Sequence, residues 1–440
     1  MSTDIAKLTP AQPVRAAIIV PAQANDTVSF WLLAYVALLP YQYALALHVR
    51  LGVADACLFF YLLFGFSRLR LRGEAWSVFH SALVVLFAVG LFVSASTTGS
   101  LTSYEYLNKG VGLLTLVASY VVVTSEVGNW WQLRKVVRAF VLGVCVQNAF
   151  ALAALMGSYL AGMRFSFVNY ENERLSGFLY DPNAYGGLLV VALAFNMVGS
   201  AGPVPVTKGI LRTLCNLTLV AGIGFTFSRT AWMAMAAAWL TYLVFRPKSA
   251  LKMLGVLATA IPVILLFIGL GLISPRRMLD RPDTIETRVR LIDDSLAQFQ
   301  RHPILGMGLG MFRETGGLIV HNTPLWFVVD FGLVGLGVFV GFMAWFYVTG
   351  ARTYFAMPTD VRPYLLGLLS GTSGMLGLSM GIEAFYQRHW WLCFALIGAA
   401  VTAARTAPWG FAVGSERPAL RTLRLPPWGP EVATHGGIRT

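Results

Sequence analysis

Residues 321–348, HNTPLWFVVDFGLVGLGVFVGFMAWFYV, open with polar and turn-forming positions and continue as an apolar run interrupted by one acid, Asp330. As a helix rising ~1.5 Å per residue, the run 324–348 is long enough to cross the ~30 Å hydrocarbon core of a bilayer. Asn322 or Thr323 can cap it, and Pro324 suits the first helical position, where its missing N–H costs nothing. His321 therefore stands at the N-terminus of a transmembrane helix, where the helix dipole disfavours imidazolium.

The same length criterion places spans near 28–47, 51–66, 76–96, 106–124, 136–156, 183–199, 209–226, 229–245, 252–272, 363–381 and 389–404. Of the 440 residues, 57% are hydrophobic and only 12% charged, against ~25% charged in a soluble domain. The expected class is all-α, a polytopic membrane protein with about twelve transmembrane helices. A polar tail (1–27) precedes the transmembrane body (28–404), and a Pro-, Arg- and Gly-rich tail (405–440), read as disordered, follows it. Ala44-Leu45-Ala46 resembles a cleavage site, but the apolar run before it exceeds a signal h-region, so the first span is read as uncleaved. Cys57, Cys145, Cys215 and Cys393 all lie in apolar segments without paired spacing, which suits packing better than disulfides or metal binding.

Net charge is +13, and the positive-inside rule accounts for much of it. With a cytoplasmic N-terminus, every short inner loop holds at least two basic residues, as in Arg68-Arg70-Arg72, Arg134-Lys135-Arg138, Lys208-Arg212, Arg246-Lys248 and Arg352-Arg362. Both termini are then cytoplasmic. The outer face keeps Lys109 and many arginines, among them Arg164, Arg174, Arg229, Arg288, Arg290, Arg301, Arg313 and Arg388. Arginine suits bidentate binding of phosphate or carboxylate, so the bias predicts an anionic ligand on that side.

The long polar break at 273–323 is the largest outer loop. Asp283 with Glu286 starts a helix that Pro303 closes, with Ile285, Val289, Ile292, Leu296 and Phe299 forming an apolar face expected to lie against the bundle. Arg288 sits beside that face, within reach of a lipid-linked phosphate. Gly306-Met307-Gly308-Leu309-Gly310 lacks the strand and helix of a nucleotide site and is expected to be a mobile connector admitting a bulky substrate. A neutral His321 in a polar cleft could serve as general base. Arg229, in Ser228-Arg229-Thr230 at a tight turn between apolar segments, is costly there unless paired. Arg164 and Arg174 lie in the loop before Asp181-Pro182-Asn183, and Glu383, Tyr386, Arg388 and His389 could line an acceptor side together with Asn322. There is no compact His or Cys cluster, and the outer acidic doublets Glu171-Asn172-Glu173 and Asp293-Asp294 read as solvated faces, so a metal-independent site without cofactor is expected.

These motifs resemble the O-antigen ligase and polymerase superfamily. The matching residues are Leu175-Ser176-Gly177-Phe178 through Asn183, then Ser228-Arg229-Thr230, then Arg288 fifteen residues before Pro303 in HPILGMGLG, His321-Asn322-Thr323-Pro324-Leu325, and Asp330-Phe331-Gly332-Leu333-Val334-Gly335. One departure is Ile292, where the family often has an aromatic residue. The resemblance implies a bacterial inner-membrane enzyme whose outer loop is periplasmic and bears short amphipathic helices. It implies transfer of a glycan from undecaprenyl pyrophosphate to lipid A-core oligosaccharide, by direct, inverting displacement, without ATP, nucleic acid, metal or cofactor. Arg288 and Arg229, with Arg164, would hold the pyrophosphate, and His321 would activate the acceptor hydroxyl. An O-antigen polymerase or an O-linked protein oligosaccharyltransferase would use the same chemistry. A polysaccharide or lipid-linked sugar transporter is less favoured, because the ionisable groups gather at one interface rather than near the midplane.

Overall fold

The computed structural model describes residues 26–42, 52–99, 104–165, 168–169, 174–249, 269, 282–316, 320–408 and 411. Within them the chain is helical: α1 Phe30–Leu38, α2 Val53–Gly65, α3 Val78–Thr98, α4 Tyr104–Glu126, α5 Trp130–Ala161, α6 Pro182–Gly199, α7 Gly209–Phe225, α8 Arg229–Phe245, α9 Pro282–Arg301, α10 Met311–Gly316, α11 Thr323–Ala356, α12 Arg362–Ser379 and α13 Arg388–Thr406. Two short antiparallel strands, β1 (Val168–Asn169) and β2 (Arg174–Leu175), pair before α6.

A helix occupies every expected span except 252–272, which apart from residue 269 lies outside the described residues together with most of both tails and residues 273–281. By length and apolarity, Val78–Thr98, Asn108–Glu126, Trp130–Ala161, Pro182–Gly199 and Thr323–Ala356 can each cross a bilayer. The other expected spans form helices that are shorter or more polar. α1 has only 9 residues, stopping just before Pro40, whose ring cannot continue a helix. α12 reaches 18 residues, but its Ser, Thr and Gly dilute its apolar character.

At the centre, α6, α8 and α12 pack tightly through small residues. A Cβ on Gly377 would come within 2.8 Å of the Ala237 Cβ and 2.9 Å of the Met233 carbonyl oxygen. Such contacts let backbones approach where lipid supplies no hydrophobic drive between helices. α6 is buried along almost its whole length. At one end of the bundle, Glu126 of α4 pins α1 and α2, accepting from the Ser29 N–H (2.9 Å) and the Tyr61 hydroxyl (2.8 Å). The same end carries Arg246 on the Tyr354 hydroxyl, Arg362 on the Met357 carbonyl and Arg212 on the Ser200 carbonyl. The opposite end carries His321.

α11 is 34 residues long and broken at Gly332, whose φ of 65° and ψ of −157° are not helical. The break frees backbone groups that a buried helix must satisfy. Residues 303–308 satisfy them. Leu333 and Val334 N–H donate to the Pro303 and Ile304 carbonyls, while the Val329 and Asp330 carbonyls accept from Met307 and Gly308 N–H. Gly332 is required twice over: only glycine adopts this backbone easily, and a Cβ there would strike the Ile304 carbonyl. Asp330, fully buried, accepts from the Gly310 N–H at 2.8 Å, and the Ser94 hydroxyl of α3 donates to the Leu309 carbonyl at 2.9 Å. The glycine-rich connector, expected to be mobile, is therefore a plug seated in the break of α11.

Candidate functional site

The site forms where α6, α8 and α11 begin and α12 ends. Each of the three starting helices has a side-chain cap: Asp181 accepts from Asn183 N–H, Ser228 from Ala231 N–H and Asn322 from Leu325 N–H. Two non-glycine residues with left-handed backbone, Tyr180 (φ 61°) and Phe227 (φ 45°), immediately precede the first two caps. Strain of this kind costs ~1–3 kcal/mol and persists where surrounding structure imposes it.

Here that structure is a hydrogen-bonded bracket. Arg174 is buried; its Nε donates to the Thr226 carbonyl (2.8 Å) and its Nη2 to the Asn183 Oδ1 (3.0 Å). The Ser228 hydroxyl donates to the same Asn183 oxygen at 2.7 Å and meets the Thr230 hydroxyl at 2.8 Å. Two sequence motifs some 45 residues apart are thereby one structural unit, and Arg174 braces it from behind rather than reaching into the site.

Arg229 projects from this bracket and is exposed. Arg288 arrives from α9. The helix is present as expected, but its orientation differs: Leu291 and Ser295 are buried against the bundle with Arg288 half-buried in the same row, while Val289, Ile292 and Leu296 face outward. The inward row is the one that delivers Arg288. The outward apolar row needs no protein partner in a chain surrounded by lipid. Arg288 lies beside Gly381, its Nη1 3.7 Å from where a Cβ on that residue would stand, and Gly381 packs directly on Thr230.

Burial and the neighbouring Arg229 guanidinium lower the pKa of Arg288, with Asp181 opposing them. His321 is open to solvent. Desolvation and Arg288 push its imidazole below the ordinary 6.5, against the pull of Asp181 and Glu383. Arg229, Arg288, His321 and Asp181 thus form one electrostatic cluster drawn from three distant segments. Two guanidinia whose charges bear on each other, beside a histidine whose protonation is opposed, can hold a dianionic group next to a proton acceptor.

Other candidates fall around this cluster. Asn322 caps α11 and donates from Nδ2 to the Met380 carbonyl (3.1 Å), tying the α11 start to the end of α12. Tyr386 is half-buried close behind with its hydroxyl enclosed, its ring 5.2 Å from the Lys109 ammonium; burial and the Glu383 and Asp330 carboxylates raise its phenol well above the ordinary value. Arg388 grips both carboxylate oxygens of Asp55 on α2. His389 is buried inside the bundle, and neither ring nitrogen has a hydrogen-bond partner among the described residues. Arg164 is exposed beyond the end of α5 and is not among the charged groups bearing on Arg288 or His321. Of the charged groups bearing on the cluster, sequence reasoning misses Asp181 as a site residue and places Glu383 only on the acceptor side. Asp181 reads in sequence only as a helix cap, and Glu383 only as one polar group of a short loop. Among the described residues no three His, Cys, Asp or Glu side chains gather as a metal site.

A helical membrane bundle with an arginine pair and a histidine at one end defines the class. Residues 214–340, which include Arg229, Arg288 and His321, match the family model described as O-antigen ligase. Its members are glycosyltransferase-like enzymes acting on polysaccharide and lipid substrates. A comparison with curated protein sequences found no match.

Proposed function

We propose that the protein is an O-antigen ligase, moving polysaccharide from undecaprenyl pyrophosphate to lipid A-core oligosaccharide on the periplasmic face of the bacterial inner membrane. The observation that carries this reading is the joining of Arg229, Arg288 and His321 in one cluster that also contains Asp181. The donor pyrophosphate lies against Arg288 and Arg229, with Arg164 reaching it from the rim. An acceptor hydroxyl oxygen attacks the anomeric carbon, the bond from that carbon to the pyrophosphate oxygen breaks, and the hydroxyl proton passes to His321. Attack opposite the leaving group inverts the anomeric configuration. The arginines neutralise charge that grows on the leaving group, so they act more strongly on the transition state than on the bound donor. Asn322 acts indirectly, by fixing the helix start that presents His321.

The test is transfer by the purified, reconstituted protein given both lipid substrates. Polysaccharide joined to lipid A-core supports the ligase. Lengthened lipid-linked polymer would instead make it a polymerase, and glycan on a protein acceptor an oligosaccharyltransferase. Movement of donor across the bilayer without any new glycosidic bond would make it a transporter.

A further inference from the structure

The segment after α12 is laced to the start of α11 on both sides of Glu383. Asn322 donates to the Met380 carbonyl, the Thr323 hydroxyl donates to the Ile382 carbonyl (3.1 Å), and the Ala384 N–H donates back to that hydroxyl (2.8 Å). Thr323 is fully buried, so Glu383 is fixed on a peptide that straddles a residue only two positions from His321. From the other side Lys109 of α4 forms an ion pair with Glu383, and both side chains are enclosed, at 12% and 13% exposure. The Lys109 ammonium also lies 4.5 Å from the Trp326 ring centroid and 5.2 Å from that of Tyr386, so two rings hold the cation that holds the carboxylate. An ion pair this enclosed loses much of its attraction to desolvation and is weak evidence for stability alone.

We propose that Glu383, steadied by Lys109, is a positioning residue that orients His321 and stabilises the imidazolium formed when the acceptor proton is taken up. The inference rests on the reading of His321 as general base. Among the described residues, the charged groups bearing on His321 are Arg288 from α9, Asp181 from the start of α6 and Glu383 from the 380–384 segment. Arg288 opposes imidazolium until a pyrophosphate engages it, and Asp181 is shared with Arg288. Glu383 is the carboxylate left to favour protonation at His321. After transfer the proton leaves from the solvent-open face of the ring.

Diethylpyrocarbonate reacts with neutral imidazole, so its modification of His321 in the full-length protein in detergent, followed by peptide mass spectrometry across about pH 5–8, reads the ring's protonation midpoint without any activity. Glu383→Gln should lower that midpoint by ~0.5–1 pH unit, and Lys109→Met, which leaves the carboxylate unopposed, should raise it. Glu383→Asp should restore much of the wild-type value. In the transfer assay Glu383→Gln should lower kcat while leaving the donor KM close to wild type. Size-exclusion profiles report folding; where Lys109→Met fails that check, the Glu383→Gln and Glu383→Asp pair decides. A midpoint unmoved in Glu383→Gln overturns the coupling, as would shifts in the same direction for Glu383→Gln and Lys109→Met. A His321→Ala variant that keeps full transfer would remove the base reading, and with it the catalytic use of the pair, even where the midpoints shift as expected.

Discussion

Four arginines at the same end of the bundle divide into two kinds. Arg174 and Arg388 are matched by acceptors of this chain, the first by the Thr226 carbonyl and Asn183, the second by both oxygens of Asp55. Arg288 instead feels the positive charge of Arg229, which lowers its pKa. A guanidinium set against acceptors keeps helices together; one crowded by a second guanidinium is favoured by a bound anion. Residue type is identical in the two cases, and only the partner separates scaffold from site.

Substitutions should break that comparison in opposite ways. The largest effect is expected from His321→Ala, which should cut transfer by ~10²–10⁴-fold if the histidine is the base, while its size-exclusion profile stays that of the wild type. Arg288→Ala should cost ~10²–10³-fold in turnover, again with the fold intact. Arg388→Met should behave differently, leaving Asp55 buried without its partner and lowering stability by ~3–5 kcal/mol, read as a reduced midpoint of thermal aggregation in detergent. Gly332→Ala should cost ~1–3 kcal/mol, because it forces an unfavourable backbone and a collision with Ile304, and it should lower transfer through the displaced start of α11. Smaller still, Arg164→Ala should weaken donor use less than Arg229→Ala, as measured by KM for the lipid-linked glycan.

The pH dependence follows from His321. Its pKa lies below 6.5, so transfer should be constant through neutrality and fall only as pH drops through that lowered value. A rate that instead declined on going above neutrality would break the assignment, since a neutral imidazole does not lose its basicity there.

Much of this was legible in the chain because membrane helices advertise themselves. Apolar runs located α3, α5 and α11, though α5 begins at Trp130, ahead of the expected 136, since its first turn carries Gln132 and basic residues and is capped by Asn129. Arg229 and His321 were legible because a polar residue bordering apolar sequence is expensive without a purpose. Arg388 was not, because its partner Asp55 lies 333 residues away inside a run that otherwise looks like ordinary span. The facing of α9 was misread for a physical reason. In water the apolar row of an amphipathic helix seeks protein, whereas beside lipid it can turn outward and leave the polar row to meet the bundle. The connector was misread because glycines were taken as freedom, when here they allow the Ile304 and Asp330 backbones to approach closely.

That plug also acts as a ruler. Arg288 and His321 lie 33 positions apart in sequence, a separation that a slack loop would turn into a wide spread of distances. Pairing 303–308 with 329–334 ties the exit of α9 to the shaft of α11 by backbone register. The spacing between Arg288 and His321 is thus written into hydrogen-bond geometry at folding, and the entropy of bringing them together is spent before any ligand arrives.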